Sequence, residues 1–131
     1  MNQRNELTAA AMARIVEQLH ADRIGHGTWL FSTARIQDAS IKDKKSYVQS
    51  LVRYVADRRI TLEVCLTSNV QTHATERYED HPLRRYFDLG LNVVLNTDNR
   101  LMSGVTLVDE YALAARTFGF GMADLARLAM N

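Results

Sequence analysis

The chain has 131 residues, 47% of them apolar, which is the usual size of one domain and enough apolar material for a core. Sixteen basic and fifteen acidic side chains leave a formal net charge of +1, and no long run of one sign favours nucleic acid or a membrane as a partner. The single cysteine excludes an internal disulfide, and no apolar stretch reaches the ~18 residues of a membrane-spanning helix. No signal-peptide pattern is present either, so we expect a cytoplasmic protein.

The first half of the chain alternates helix and strand patterns. Apolar residues at helical spacing predict an amphipathic helix from Leu7 to Leu19. A short strand is predicted from Ala21 to His26, and a polar connection separates it from a second helix over Ser46–Arg58. The β-branched and apolar run from Ile60 to Leu66 predicts the second strand, and Thr67–Asn69 predicts a turn after it.

The second half continues this alternation. The order of helices and strands is typical of parallel α/β proteins, so we predict one α/β unit over the whole chain. The remaining predicted elements are a short helix from Pro82 to Leu89, a strand from Asn92 to Asn96, a helix capped by Thr106 and ended by Gly119, and a last helix from Met122 to Met130.

Polar residues follow each of the three predicted strands. In parallel α/β folds the loops at the carboxyl ends of strands converge on one face, where ligands bind. The strand ends contain Gly-His-Gly at 25–27, Cys-Leu-Thr-Ser-Asn at 65–69 and Asn-Thr-Asp at 96–98. Adenosine deaminases carry such motifs in this order, and the sequence resembles that family from Asp22 to Met130.

The resemblance implies a TIM (β/α)₈ barrel of the metal-dependent hydrolase type, whose sixth, seventh and eighth strands end in these motifs. The chain then corresponds to the C-terminal portion of the barrel, about three βα units, in a single partial domain over residues 1–131 that is truncated at both ends. The resemblance also implies a zinc cofactor and a purine nucleoside substrate. Zinc lowers the pKa of a water molecule, and the resulting hydroxide attacks C6 of adenosine to give inosine and ammonia.

The resemblance also assigns roles to single residues. Asp98 is implied as a zinc ligand, with a helix cap or turn former as the alternative. His26 is implied beside the metal-bound water as a base or electrostatic stabiliser, and the alternative is a histidine satisfied by backbone groups in a tight turn. Asn99 stands where many family members have a second aspartate, and its amide is expected to donate a hydrogen bond to N7 of the purine.

Other polar residues near the strand ends receive different interpretations. Glu63 is a carboxylate in an otherwise apolar strand, and it either orients His26 or points to a solvated rim. Ser68 and Asn69 are expected to stabilise the turn through side-chain to backbone hydrogen bonds. The remaining histidines are expected to be surface or capping groups: His20, His73 and His81.

Two family motifs are missing from the sequence, a His-x-His pair and His-Ala-Gly-Glu. The resemblance therefore implies that the other zinc ligands come from outside this chain, and the isolated chain is expected to be inactive. Three strands leave two unpaired sheet edges, so we expect a homo-oligomer or a complementing N-terminal segment as partner. Two alternatives remain: a non-catalytic remnant that acts as a binding or assembly module, and part of an adenine or adenosine-phosphate deaminase.

Overall fold

The computed structural model describes residues 7–131, so the first six residues of the predicted domain lie outside the described residues. At the centre is a parallel sheet in the order β1-β2-β3, with Ile24 paired to Leu62 and Leu62 paired to Val93. This arrangement confirms the predicted α/β alternation. The strands are β1 (Arg23–Gly25), β2 (Thr61–Val64) and β3 (Val93–Leu95).

Helices precede, connect and follow the strands, which gives parallel neighbours because each connection returns the chain to the same end of the sheet. Two 3₁₀ turns lie in the longer connections, at Thr33–Arg35 and Tyr78–Asp80. The helices are α1 (Ala9–Gln18), α2 (Lys44–Asp57), α3 (Leu66–Gln71), α4 (Leu83–Asp88), α5 (Arg100–Ser103), α6 (Leu107–Phe118) and α7 (Met122–Met130).

The predicted start and stop of α6 are confirmed. The Thr106 hydroxyl accepts a hydrogen bond from the Asp109 N–H at 3.2 Å, and the Asp109 carboxylate accepts one from the Thr106 N–H at 2.7 Å. This reciprocal capping satisfies two backbone donors at the helix start. At the other end Gly119 has φ +70°, the left-handed conformation that commonly ends a helix.

Two short helices differ from the sequence-based prediction. The expected turn at Thr67–Asn69 is part of α3, and α5 was not predicted at all. Both are too short for apolar periodicity to reveal, and isolated helices of this length are unstable in water, so packing of α3 against α5 and α6 must stabilise them. The consequence for the site is large, because α3 and α5 directly follow candidate site residues.

The core includes one face of the sheet. Ile24, Leu62 and Val93 share this face through the strand register and are almost completely buried, whereas Gly25, Glu63 and Val94, which share the other face, are more exposed. The helices α1, α2, α4 and α7 contribute further buried side chains to the core. No helix among residues 7–131 is long and apolar enough to span a membrane. The helical core residues include Met12, Val16, Val48, Val55, Leu83, Tyr86 and Leu128.

Candidate active site

The carboxyl ends of the three strands lie at one edge of the sheet. Gly25 at the end of β1 pairs with Glu63, and Val64 at the end of β2 pairs with Leu95. Because all three strands run in the same direction, the residues that follow them converge at this edge. The three polar strand ends predicted from the sequence are therefore neighbours in the structure.

His26 occupies a sharp turn directly after β1. Its φ is +64° and that of Gly27 is +66°, so two successive residues are left-handed. A β-carbon on Gly27 would lie 3.0 Å from Cδ2 of Leu62, so both the conformation and the space favour glycine. The buried Tyr86 hydroxyl donates to the Gly27 carbonyl at 2.6 Å and anchors the turn. The His26 side chain remains 31% exposed, which leaves it accessible to a ligand.

Asp98 faces His26 across this edge, also with a left-handed backbone at φ +59°. Its Oδ2 atom accepts a hydrogen bond from the Ser68 hydroxyl at 2.7 Å and lies 3.8 Å from Nε2 of His26. That separation is too long for a direct hydrogen bond, but an oxygen atom about 2.8 Å from both groups fits beside the pair. The expectation that His26 and Asp98 meet at one rim agrees with the structure.

Ser68 and Asn69 contact the site, although they were expected to stabilise a turn. Both lie on α3 and are buried. Ser68 donates to Asp98, and the Asn69 amide nitrogen lies 3.0 Å from Nδ1 of His26. Their partners are 30 and 43 residues away in sequence, so no local pattern could have revealed them.

The proposed contact of Glu63 with the imidazole of His26 is replaced by another arrangement. The carboxylate of Glu63 accepts a hydrogen bond from Nε of Arg23. Its side chain is 36% exposed, and that of Arg23 is 49% exposed. The structure therefore corresponds to the solvated-rim alternative, and the His26 imidazole is held by Asn69 instead.

Asn99 caps α5 with its side chain. Its Oδ1 atom accepts a hydrogen bond from the Leu101 N–H at 3.1 Å, and the residue is exposed. The cap uses the carbonyl oxygen of the side chain, whereas the contact expected with a ligand uses the amide nitrogen. Both contacts are compatible with one orientation of the amide group.

His81 is buried, although a surface or capping position was expected. Only 3% of the residue is exposed. Its Nδ1 accepts a hydrogen bond from the Leu83 N–H at 3.1 Å, so it does cap α4, and its Nε2 lies 3.1 Å from Oδ1 of Asn69. Burial, and to a smaller extent the charge of His26, lowers the pKa of His81 from 6.5 to about 3. His81 is therefore neutral at physiological pH.

Glu110 is a buried carboxylate that was not predicted to lie near the site. It lies in the first turn of α6 with 1% of its surface exposed. The Thr67 N–H donates to its two oxygens at 3.3 Å each, and the Thr67 hydroxyl also donates to it. Glu110 thereby joins α6 to the start of α3, the helix that carries Ser68 and Asn69.

The sequence of residues 5–131 matches that of a known group of enzymes. The family described as adenosine deaminase matches residues 5–131. The chain belongs to the adenosine deaminase family. An adenosine deaminase from Clostridium acetobutylicum is 38% identical over 123 residues, which make up 94% of this chain and 32% of that protein. This chain thus spans about a third of the length of the curated relatives it matches.

Solved structures share the fold. An adenine deaminase from Arthrobacter aurescens superposes with a TM-score of 0.76 at 27% identity, and the match covers 95% of this chain and 33% of that one. An amidohydrolase from Burkhoderia ambifaria with bound Zn gives a TM-score of 0.69 at 26% identity, over 93% of this chain and 30% of that one. The fold is part of the TIM barrel of deaminases and amidohydrolases, as the resemblance implied.

Proposed function

We propose that this chain supplies the C-terminal part of the active site of an adenosine deaminase, which hydrolyses adenosine to inosine and ammonia. The observation that carries the proposal is the approach of His26 Nε2 to within 3.8 Å of Asp98 Oδ2 at the carboxyl ends of β1 and β3. In parallel α/β barrels the catalytic groups lie at these strand ends. Membership of the adenosine deaminase family supports the same reaction.

Asp98 is the residue of this chain that would hold the metal ion, which we propose to be zinc. Carboxylate oxygen is an ordinary zinc ligand, and the hydroxyl of Ser68 orients the carboxylate as outer partners of metal ligands do. Within the described residues no three His, Cys, Asp or Glu side chains cluster as a metal site. The donor set therefore fits a site that takes one ligand here and its others from the rest of the barrel.

The metal ion, when bound, supplies a Lewis acid that makes a water molecule nucleophilic near neutral pH. Asp98 and His26 flank the place for the reacting water. The carboxylate accepts a hydrogen bond from it and can take up its proton, while the imidazole stabilises it electrostatically. Addition of this water at C6 of the purine, transfer of its two protons to N1 and to the amino group, and departure of that group as ammonia would give inosine.

Asn99 is proposed to bind the purine. Its Oδ1 atom accepts the Leu101 N–H, and the amide nitrogen is the donor of the same side chain. N7 of a purine has a lone pair and no proton, so an amide N–H is a suitable donor to it. This contact identifies a purine ring but does not depend on the ribose.

Adenine is the second candidate substrate, favoured by the fold similarity to the Arthrobacter aurescens adenine deaminase. In this chain the proposed contacts reach only the purine ring and the reacting water. Groups that distinguish adenosine from adenine must then come from elsewhere in the barrel.

The proposed function is testable in a chimera in which this chain replaces the matching segment of the Clostridium acetobutylicum adenosine deaminase. That enzyme supplies the remaining two thirds of a barrel. We expect the chimera to bind zinc and to convert adenosine to inosine, measured by ammonia release with adenosine, adenine and adenosine monophosphate in parallel. A folded, zinc-loaded chimera that deaminates none of the three would contradict the proposal, and preference for adenine would establish the second candidate.

A further inference from the structure

A buried hydrogen-bonded chain leads from the backbone of α4 to His26. It begins at the Leu83 N–H, which donates to Nδ1 of His81 at 3.1 Å. A backbone N–H is only a donor, so Nδ1 of His81 must be unprotonated. Since burial keeps this imidazole neutral, its proton is on Nε2, which lies 3.1 Å from Oδ1 of Asn69.

Asn69 connects His81 to His26 through its side-chain amide. The residue is completely buried, and its Oδ1 atom accepts the proton of His81. The amide nitrogen then faces Nδ1 of His26 at 3.0 Å. An amide N–H₂ only donates, so Nδ1 of His26 is the acceptor, and the proton of a neutral His26 is on Nε2.

We propose that His81 and Asn69 are positioning residues that hold His26 in the tautomer protonated on Nε2. The direction of every hydrogen bond in the chain follows from the one backbone donor at Leu83. The N–H of His26 consequently points to the side of Asp98, 3.8 Å away, where the reacting water is proposed to bind. The catalytic consequence rests on the proposed function, whereas the tautomer itself does not.

The hydrogen-bonded chain gives a reason for the burial of His81, a polar side chain whose burial otherwise lowers stability. An imidazole with 3% exposure needs partners for both nitrogens, and His81 has them in Leu83 and Asn69. A leucine of similar volume would bury more apolar surface at this position. A leucine at this position could not, however, orient the imidazole of His26 through Asn69.

The test is imidazole ¹⁵N NMR of the histidine-labelled chimera, with His26 signals assigned by their loss in His26→Asn. For the unsubstituted chimera we expect a protonated Nε2 and an unprotonated Nδ1 in His26. Asn69→Asp places a carboxylate, which is only an acceptor, beside Nδ1 and should move the proton to Nδ1. His81→Leu releases the Asn69 amide and should give a mixture of tautomers.

Kinetics supply the second readout. Asn69→Asp and His81→Leu should lower kcat by about 10-fold to 100-fold with little change in KM, because substrate contacts are untouched. His81→Gln keeps a donor near the position of Nε2 and should restore the tautomer and most of kcat. His20→Gln, at an exposed histidine, is the matched control and should change neither.

The outcomes separate this inference from the proposed function. A His26 proton on Nδ1 in the unsubstituted chimera, or an unchanged tautomer in Asn69→Asp, would overturn the inference. Equal impairment by His81→Gln and His81→Leu at preserved folding would do the same. If His81→Leu does not fold, the comparison of Asn69→Asp with His81→Gln still decides. An Nε2-protonated His26 in a chimera that deaminates no purine would support the inference and reject the proposed function.

Discussion

Asp98→Asn in the chimera is expected to lower adenosine turnover by about 10³-fold or more and to reduce bound zinc. An amide is a much weaker zinc ligand than a carboxylate and cannot take a proton from the reacting water. Loss of a general base alone lowers rates by roughly 10² to 10⁴. Asparagine has the same shape and tolerates the left-handed backbone that Asp98 adopts, so folding should be preserved.

Metal analysis and ammonia release, measured on the same purified samples, check this expectation. Asp88→Asn is the matched control, because it makes the same change in charge at an exposed residue of α4 that pairs with Arg84. The control should keep its zinc and its turnover. Unchanged turnover in Asp98→Asn would exclude Asp98 from the catalytic site.

Glu110→Ala is expected to lower the free energy of unfolding of the chimera by about 2 to 4 kcal/mol. The substitution removes the acceptor for the N–H and hydroxyl of Thr67 and leaves a cavity in the packing of α3 against α6. Glu110→Gln keeps one acceptor oxygen at nearly the same position and should recover most of the loss.

Urea unfolding of the two variants tests the role of Glu110, with Glu76→Ala at an exposed position as the control. The adjacent residues Ser68 and Asn69 contact Asp98 and His26, so kcat of Glu110→Ala should also fall. Equal stability of Glu110→Ala and Glu76→Ala would show that Thr67 does not need this carboxylate.

The strand ends were predictable because their signals are local. The motif around His26 and that around Asp98 each follow a predicted strand, and parallel strands bring their carboxyl ends together. The capping pattern at Thr106 is equally local, since its partner Asp109 lies three residues away. Each of these features can be recognised within a window of about ten residues.

The support of the site was not predictable from the sequence. Glu110 lies in the first turn of a helix, where an acidic side chain interacts favourably with the helix dipole. Only the fold shows that Glu110 is buried against Thr67. His81 precedes a proline in a polar stretch, which is typical of exposed turns, yet tertiary packing buries it. Glu63 was the reverse case, a strand carboxylate whose partner Arg23 lies on the neighbouring strand at the exposed rim.

The position of zinc in crystals of the metal-loaded chimera, found from anomalous scattering on both sides of the zinc absorption edge, tests the shared site of His26 and Asp98 most directly. We expect a single strong peak about 2.0 to 2.2 Å from a carboxylate oxygen of Asp98, with His26 facing the same space. A fully occupied zinc peak at another place in a chimera that deaminates adenosine would contradict the assignment of Asp98 and of the water it shares with His26.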